Sequence, residues 1–407
     1  MITETRRAVA GLAAPLRTLF LTVLIFRAGT MAYPFLATHL LLSGGVDAAA
    51  AGLTVAGFGV GALAADLAAG PLLGRFRPHS LMRCGFLLNA AVLACVPALH
   101  GRAALSAAVL AWGFSYEIVT PAAYSATIAG SRPDDRKVAF ACYRLAVNLG
   151  TAVGPMIGAL VFAADPDAVF WANAVCVLAA IWHLHTHRQR PPAPTTSGTP
   201  RPHSTTRPPT TRIERTRFWT VFGLSLPIQL AYALPSAFVS TYVIVGLGLP
   251  GYWAGVVFTV NALGIALFEV PLNIRMARVG SLPTLLTGYT LAGTGFLLMA
   301  RAESGLALVS ATLVWTAGEI VVFPGLLGYV SRLSSPAADR NMSLFSSGVN
   351  VAFILAPQLA LLLSGPGHAG APWAVAGAAV YAAVLLLLAA RTHPYAWHKE
   401  EPCTSAT

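Results

Sequence analysis

Twelve apolar runs, each long enough to cross a lipid bilayer, constrain this chain more than any other feature. They lie near residues 16–41, 50–73, 81–99, 103–128, 138–163, 168–186, 218–246, 252–274, 283–300, 305–330, 342–364 and 371–390, and are numbered here as spans 1 to 12. A helix needs about 20 residues to cross roughly 30 Å of hydrocarbon. Backbone in lipid must satisfy its own N–H and C=O groups, so only helices or closed barrels span. Runs of this length therefore predict an all-α polytopic membrane protein. The connections are short, with one exception: residues 188–216 are rich in Pro, Thr and Arg and nearly devoid of apolar side chains. That is the composition of a flexible linker. It divides the chain into 1–187, with six spans, and 217–407, with six more and a short tail. The first run is too long for a signal-peptide core and lacks a clear cleavage site, so it is expected to remain as span 1.

Charge supports this reading and gives it an orientation. Only 10% of residues are charged, against roughly 25% in soluble proteins, which excludes a soluble enzyme, a nucleic-acid-binding protein and a disordered chain. Of the 26 Lys and Arg residues, 22 fall in the termini, the linker and the loops after spans 2, 4, 8 and 10. Only Arg102 and Arg301 fall in the loops of the opposite side, and Arg27 and Arg144 lie within spans. The positive-inside rule then predicts cytoplasmic termini. The net charge of +11 is a topology device, and no nucleic-acid partner is expected. The five cysteines show no CxxC spacing and read as small hydrophobes. Arginine outnumbers lysine 24 to 2, which hints at a GC-rich genome and a bacterial inner (plasma) membrane.

The two halves repeat each other at a shift of 202–203 residues. Asp66 falls on Glu269, Glu117 on Glu319, Asn148 on Asn350, Pro155 on Pro357 and Arg27 on Gln229. A six-helix unit duplicated in parallel is the organisation of many secondary transporters, whose site lies between the halves at mid-membrane. The span-5 run GTAVGPMIGA, with Gly150, Gly154, Pro155 and Gly158, matches the GxxxGPxxGG antiporter signature apart from Ala159. The run GPLLGRFRPH after span 2 keeps Gly70, Leu72 and Arg75 of the superfamily's inner-loop gating element, with Gly74 in place of its acid. On these residues the chain resembles a major facilitator superfamily transporter, and within that family the proton-coupled drug/proton antiporter branch. The resemblance implies two six-helix bundles in the major facilitator fold, with spans 3, 6, 9 and 12 as outer supports.

Six ionisable residues sit well inside spans: Arg27, Asp66, Glu117, Arg144, Glu269 and Glu319. A charged side chain at a helix centre costs about 2.5–3.5 kcal/mol on insertion scales, so these must face water, pair or be neutral. None lies in spans 3, 6, 9 or 12. Arg144, Asn148, Thr151 and Pro155 share one helical face, and Gly150, Gly154 and Gly158 form an adjacent small-residue stripe that admits another helix. Gly59, Ala62 and Gly70 flank Asp66 and predict tight packing at the interface between halves.

Glu319, in an EIxxxP element resembling that of proton-coupled exporters, is the first candidate for the proton-carrying acid, followed by its repeat mate Glu117, then Asp66 and Glu269. Each has an alternative reading as a structural partner for an arginine, and Glu269 also as a gating ion pair near Arg275 and Arg278. Candidate cavity residues are Arg27, Tyr33, Tyr116, Arg144, Asn148, Gln229, Tyr232, Asn261, Trp315, Phe323 and Asn350, with Asn173 beside them. Amides in spans serve equally as inter-helix hydrogen bonds, and aromatic residues equally as packing. His183, His185 and His187 read as a solvated membrane edge rather than metal ligands.

The expected function is proton-coupled efflux of a small amphipathic or cationic compound, by a monomer with no metal and no cofactor. An exporter or symporter of a sugar, amino acid or other metabolite is the alternative, and a non-transporting membrane sensor a more distant one. HExxH, GxSxG and phosphate-loop motifs are absent, which argues against an embedded enzyme or an ATPase.

Overall fold

The computed structural model describes residues 13–43, 46–99, 101–131, 136–187, 212–276, 279–332, 338–365 and 367–390. Some side chains within these ranges, that of Arg144 among them, lie outside the description, as does the linker from 188 to 211. The described residues form twelve spans and no strands. Eleven helical segments are long and apolar enough to cross a membrane, and span 11, Ala338–Leu363, adds a shorter apolar stretch at Gly348–Leu363. Large apolar side chains such as Leu53, Leu67, Trp182, Leu306 and Leu385 are exposed on the outside of the bundle, as lipid rather than water requires.

Two spans are interrupted, both in the N-terminal half. Span 1 is two helices, Ala14–Ala28 and Tyr33–Ser43. Across the gap the Asn173 side-chain oxygen accepts from the Met31 and Ala32 N–H groups at 3.4 and 3.3 Å, so span 6 supplies what the helix has lost. Gly29 lets the two spans meet, since a Cβ there would lie 2.8 Å from the Cys176 Cβ. Span 4 breaks between Arg102–Glu117 and Val119–Gly130. Pro121 causes this: it has no N–H for the Glu117 carbonyl four residues earlier. The C-terminal counterparts are continuous: span 7 runs as Arg212–Thr241 and ends in a π-turn, Tyr242–Gly246, and span 10 runs Gly305–Arg332 through Pro324. Span 7 begins five residues inside the stretch read from sequence as linker, so 212–216 are helical.

The halves meet along spans 2 and 11, spans 5 and 8, and spans 1 and 7. This is a two-fold arrangement, because spans 2 and 8 are repeat mates, as are 5 and 11. The contacts repeat too. A Cβ on Gly52 would meet the Gln358 Cα at 3.0 Å, and one on its mate Gly255 would meet the Met156 Cα at 3.0 Å. Thr38 and Thr241, also mates, hydrogen-bond each other at 3.1 Å. All these contacts lie toward the end that carries the loops after spans 1, 5, 7 and 11. Toward the opposite, basic end, among the described residues nothing lies within 4 Å of a Cβ placed on Gly70 or Gly74.

Candidate functional site

Between the halves lies a cavity of about 610 Å³. Its lining follows the internal repeat. Thr30 and Tyr232, Pro34 and Ser236, Phe58 and Asn261, Gly59 and Ala262, Ala62 and Ile265, Glu117 and Glu319, Asn148 and Asn350, and Thr151 and Phe353 are mates that both face it. The positions are shared while the chemistry alternates. Phe58 stands where the other half has Asn261, and Thr30 and Thr151 stand where it has Tyr232 and Phe353.

The N-terminal wall is built around Arg27, the last full turn of helix before the span-1 break. Its Nη1 donates to the Tyr116 hydroxyl and its Nη2 to Thr120 Oγ1, the latter at 2.7 Å. The guanidinium carbon lies 4.7 Å from the centre of the Tyr116 ring, within cation–π range. Glu117 follows Tyr116 on the same span and faces the cavity beside this cluster. Tyr33, Phe58 and Trp112 pack beside this cluster, with the Tyr33 and Phe58 rings 4.3 Å apart. Arg27 Nε and the Tyr33 hydroxyl are buried polar atoms with no protein partner, which leaves them for a bound molecule or water.

The C-terminal wall is built around Glu319. Asn261 Nδ2 donates to Glu319 Oε2 at 2.9 Å and to Thr316 Oγ1 at 3.0 Å, tying span 8 to span 10. Among the described residues no cation pairs with Glu319. Tyr232 packs on Phe323, 4.6 Å between ring centres, and edge-on to Phe353.

A central cavity between two repeat-related six-helix bundles, lined by buried acids, is the architecture of a transporter, and the sequence agrees. The profile of the Major Facilitator Superfamily matches residues 18–258, more than half of the chain. The chain belongs to the Major Facilitator Superfamily. Among solved structures, the peptide transporter POT in complex with sulfate is 18% identical, with a TM-score of 0.76 over 95% of this chain and 98% of that one. The nucleoside transporter NupG is 13% identical, with a TM-score of 0.74 over 94% and 100%. A POT family transporter in complex with 5-aminolevulinic acid is 13% identical, with a TM-score of 0.73 over 92% and 95%. No curated protein matches the chain in sequence.

Within this superfamily fold, the residues singled out from sequence fall into three groups. Arg27, Tyr33, Tyr116, Glu117, Asn148, Pro155, Tyr232, Asn261, Glu319 and Asn350 line the cavity, and so does Asn173 while bridging the span-1 break. Phe323 stands behind Tyr232. Asp66 lies at the edge, where Asn350 Nδ2 donates to its Oδ2 at 2.6 Å across the halves. Two residues are corrected by the structure. Gln229 is fully buried, donates to Ser225 Oγ at 2.7 Å and packs on Gly348, so it braces spans 7 and 11 instead of facing the cavity. Trp315 stacks on Phe296 and closes over Gly295, which places it between spans 9 and 10. Glu269 is half-buried and outside the lining.

The glycines of the antiport-type run serve packing. A Cβ on Gly150, Gly154 or Gly158 would strike span 1 at Leu24–Ala28, at Ala28 and Thr30, or at Met31, so the stripe seats the broken helix. Gly70 and Arg75 lie toward the basic end, open and exposed, with Leu72 half-buried beside them. Among the described residues no His, Cys, Asp and Glu cluster could hold a metal; His183 instead bonds Thr22 and stacks on His187. The sequence reading missed Thr30, Phe58, Trp112, Tyr124, Ser236, Phe258 and Phe353. Carrying the repeat shift over from Asn261 would have found Phe58, and from Tyr232 would have found Thr30.

Proposed function

We propose that the chain exports a small amphipathic or cationic compound in exchange for protons, by alternating access, with Glu319 as the proton-carrying acid. One observation carries this reading: of the two repeat-related acids in the cavity, Glu117 adjoins Tyr116, which binds Arg27, whereas among the described residues Glu319 bonds the Asn261 amide and no cation. An acid with a fixed counter-cation is held in one state, and one without can exchange a proton for a positively charged group of the cargo. The aromatic residues of both walls suit an apolar body attached to such a group. The basic loops support a cytoplasmic position for the open end, and hence a bacterial inner membrane with both termini inside. The cavity is complete within one chain, which suits a monomer. Exchange of one cation for one proton moves no net charge, so the pH gradient drives it, each pH unit being worth about 1.4 kcal/mol, or roughly tenfold accumulation.

A second reading, a polar metabolite as cargo, is favoured by the side-chain amides Asn148, Asn261 and Asn350 and the hydroxyls of Thr30, Thr151 and Ser236 in the lining. Structurally similar proteins include peptide and nucleoside transporters. Both readings meet in one experiment. Proteoliposomes carrying an imposed pH gradient are offered lipophilic amines, dipeptides and nucleosides, with and without a protonophore. Gradient-driven movement of an amine that the protonophore and Glu319→Gln each abolish is the expected result. Movement of dipeptides or nucleosides alone would favour the second reading, and movement indifferent to the protonophore would overturn proton coupling.

A further inference from the structure

We propose that Asp66 and Asn350 form a proton-sensitive latch that holds the two halves in the conformation seen here. Three observations converge on this pair. It is a side-chain hydrogen bond between halves, at 2.6 Å, and the one among the described residues that involves a carboxylate. It lies where spans 2 and 11 diverge. Toward the far end, a Cβ on Gly59 would meet the Ile354 backbone nitrogen at 3.0 Å, while toward the basic end Gly70 and Gly74 have nothing within 4 Å. Finally, Asp66 is exposed, so its carboxylate exchanges protons with whichever compartment the open end faces.

The chemistry follows from the bond. A hydrogen bond donated to a carboxylate is roughly twice as strong as one between neutral groups. When Asp66 loses its proton, the Asn350 amide donates to a full negative charge and the tie tightens. When Asp66 takes a proton on its other oxygen, the same amide donates to a neutral acid and the tie slackens. Both side chains are short, and a 2.6 Å bond leaves no slack. The bond fixes the separation and register of spans 2 and 11 at this level, so any rocking that changes either stretches or breaks it. Proton release toward the open side stabilises the open conformation, and proton uptake frees it to close. The charged group acting on this site from the neighbouring span is Glu117, whose carboxyl feels Asp66; Asn350 is the facing group on span 11.

This goes beyond the assignment of Glu319 and does not depend on the cargo, because the latch is read from conformation and not from transport. In a variant with the native cysteines replaced by serine, Gly74→Cys reports opening of the basic end through its rate of maleimide labelling, normalised to an unstructured thiol at each pH. Between about pH 8 and pH 5 the normalised rate is expected to fall roughly fivefold, the effect of halving a charge-assisted bond. Asp66→Asn and Asn350→Ala should each flatten this response, while Glu319→Gln leaves it. The exchanged pair, Asp66→Asn with Asn350→Asp, rebuilds a carboxylate–amide bond in the opposite sense and should restore the fall. A response that persists at full size in Asp66→Asn overturns the latch, as does an exchanged pair that folds, by its elution as a single species, yet stays flat. Loss of coupling in Glu319→Gln transport assays with an intact labelling response would be a result for the proton carrier alone.

Discussion

At position 27 the N-terminal half carries an arginine that reaches the cavity and is held by Tyr116 and Thr120; at the equivalent position 229 the C-terminal half carries a glutamine turned inward onto Ser225 and Gly348. At 117 and 319 the halves carry the same acid, so the arginine sets the two acids apart. Glu117 adjoins Tyr116, which binds Arg27. Glu319 is held by Asn261, which orients a carboxyl without neutralising it. Duplication supplied two equivalent positions, and an arginine stands near the first where a glutamine holds its place in the second half. A similar division shows in the helices: the broken spans 1 and 4 lie in the arginine half, and their continuous mates in the other.

The sharpest way to break this comparison is to neutralise each acid in turn. Glu319→Gln should abolish pH-driven accumulation in proteoliposomes, a loss of about tenfold per pH unit imposed, while Glu117→Gln retains coupling at a reduced rate. Equal losses would show that the halves are not divided in this way. Next in size is Arg27→Gln, which makes the first half resemble the second. It strands Glu117 in a buried site and should destabilise the protein by on the order of 3 kcal/mol, read as a lower unfolding temperature in detergent. Adding Glu117→Gln to that variant should recover most of the loss, because no unpaired charge remains.

Packing gives a smaller contrast. Gly154→Leu forces side-chain atoms into span 1 within one half, where a Cβ already lies 2.8 Å from the Ala28 carbonyl, and should lower stability by about 1–3 kcal/mol. Gly255→Ala puts its methyl between halves, against Met156 and Ala159. It should leave the unfolding temperature nearly unchanged and slow Gly74→Cys labelling by disfavouring the conformation closed at the far end. The smallest effect belongs to the tryptophan mates. Trp315→Phe, away from the cavity, should change transport by less than about twofold, since a volume loss within a packed stack is absorbed locally. Trp112→Phe, which alters the cavity wall, should raise KM for the cargo while leaving the maximal rate nearly intact.

Much of the fold could be read from sequence, because hydrocarbon length and the cost of bare backbone leave few choices. The site was partly legible for a related reason. A carboxylate or guanidinium in a span is too costly to face lipid, so Glu117, Glu319 and Arg27 had to point inward, and they do. Aromatic residues carry no such penalty. Their own residue type and local spacing do not separate Phe58, which faces the cavity, from Trp315, which packs between helices. The break in span 1 was also hidden, since the group that mends it, Asn173, comes from a helix more than a hundred residues away.

The sequence alone determined that the chain is a twelve-span bundle in two repeated halves, with its ionisable groups kept from lipid. These properties follow from the solvent and from local spacing, and both are written along the chain. Only the tertiary structure decided which acid stands beside the arginine and which amide meets Asp66 across the halves. Those depend on distances between side chains far apart in sequence, which no local spacing records.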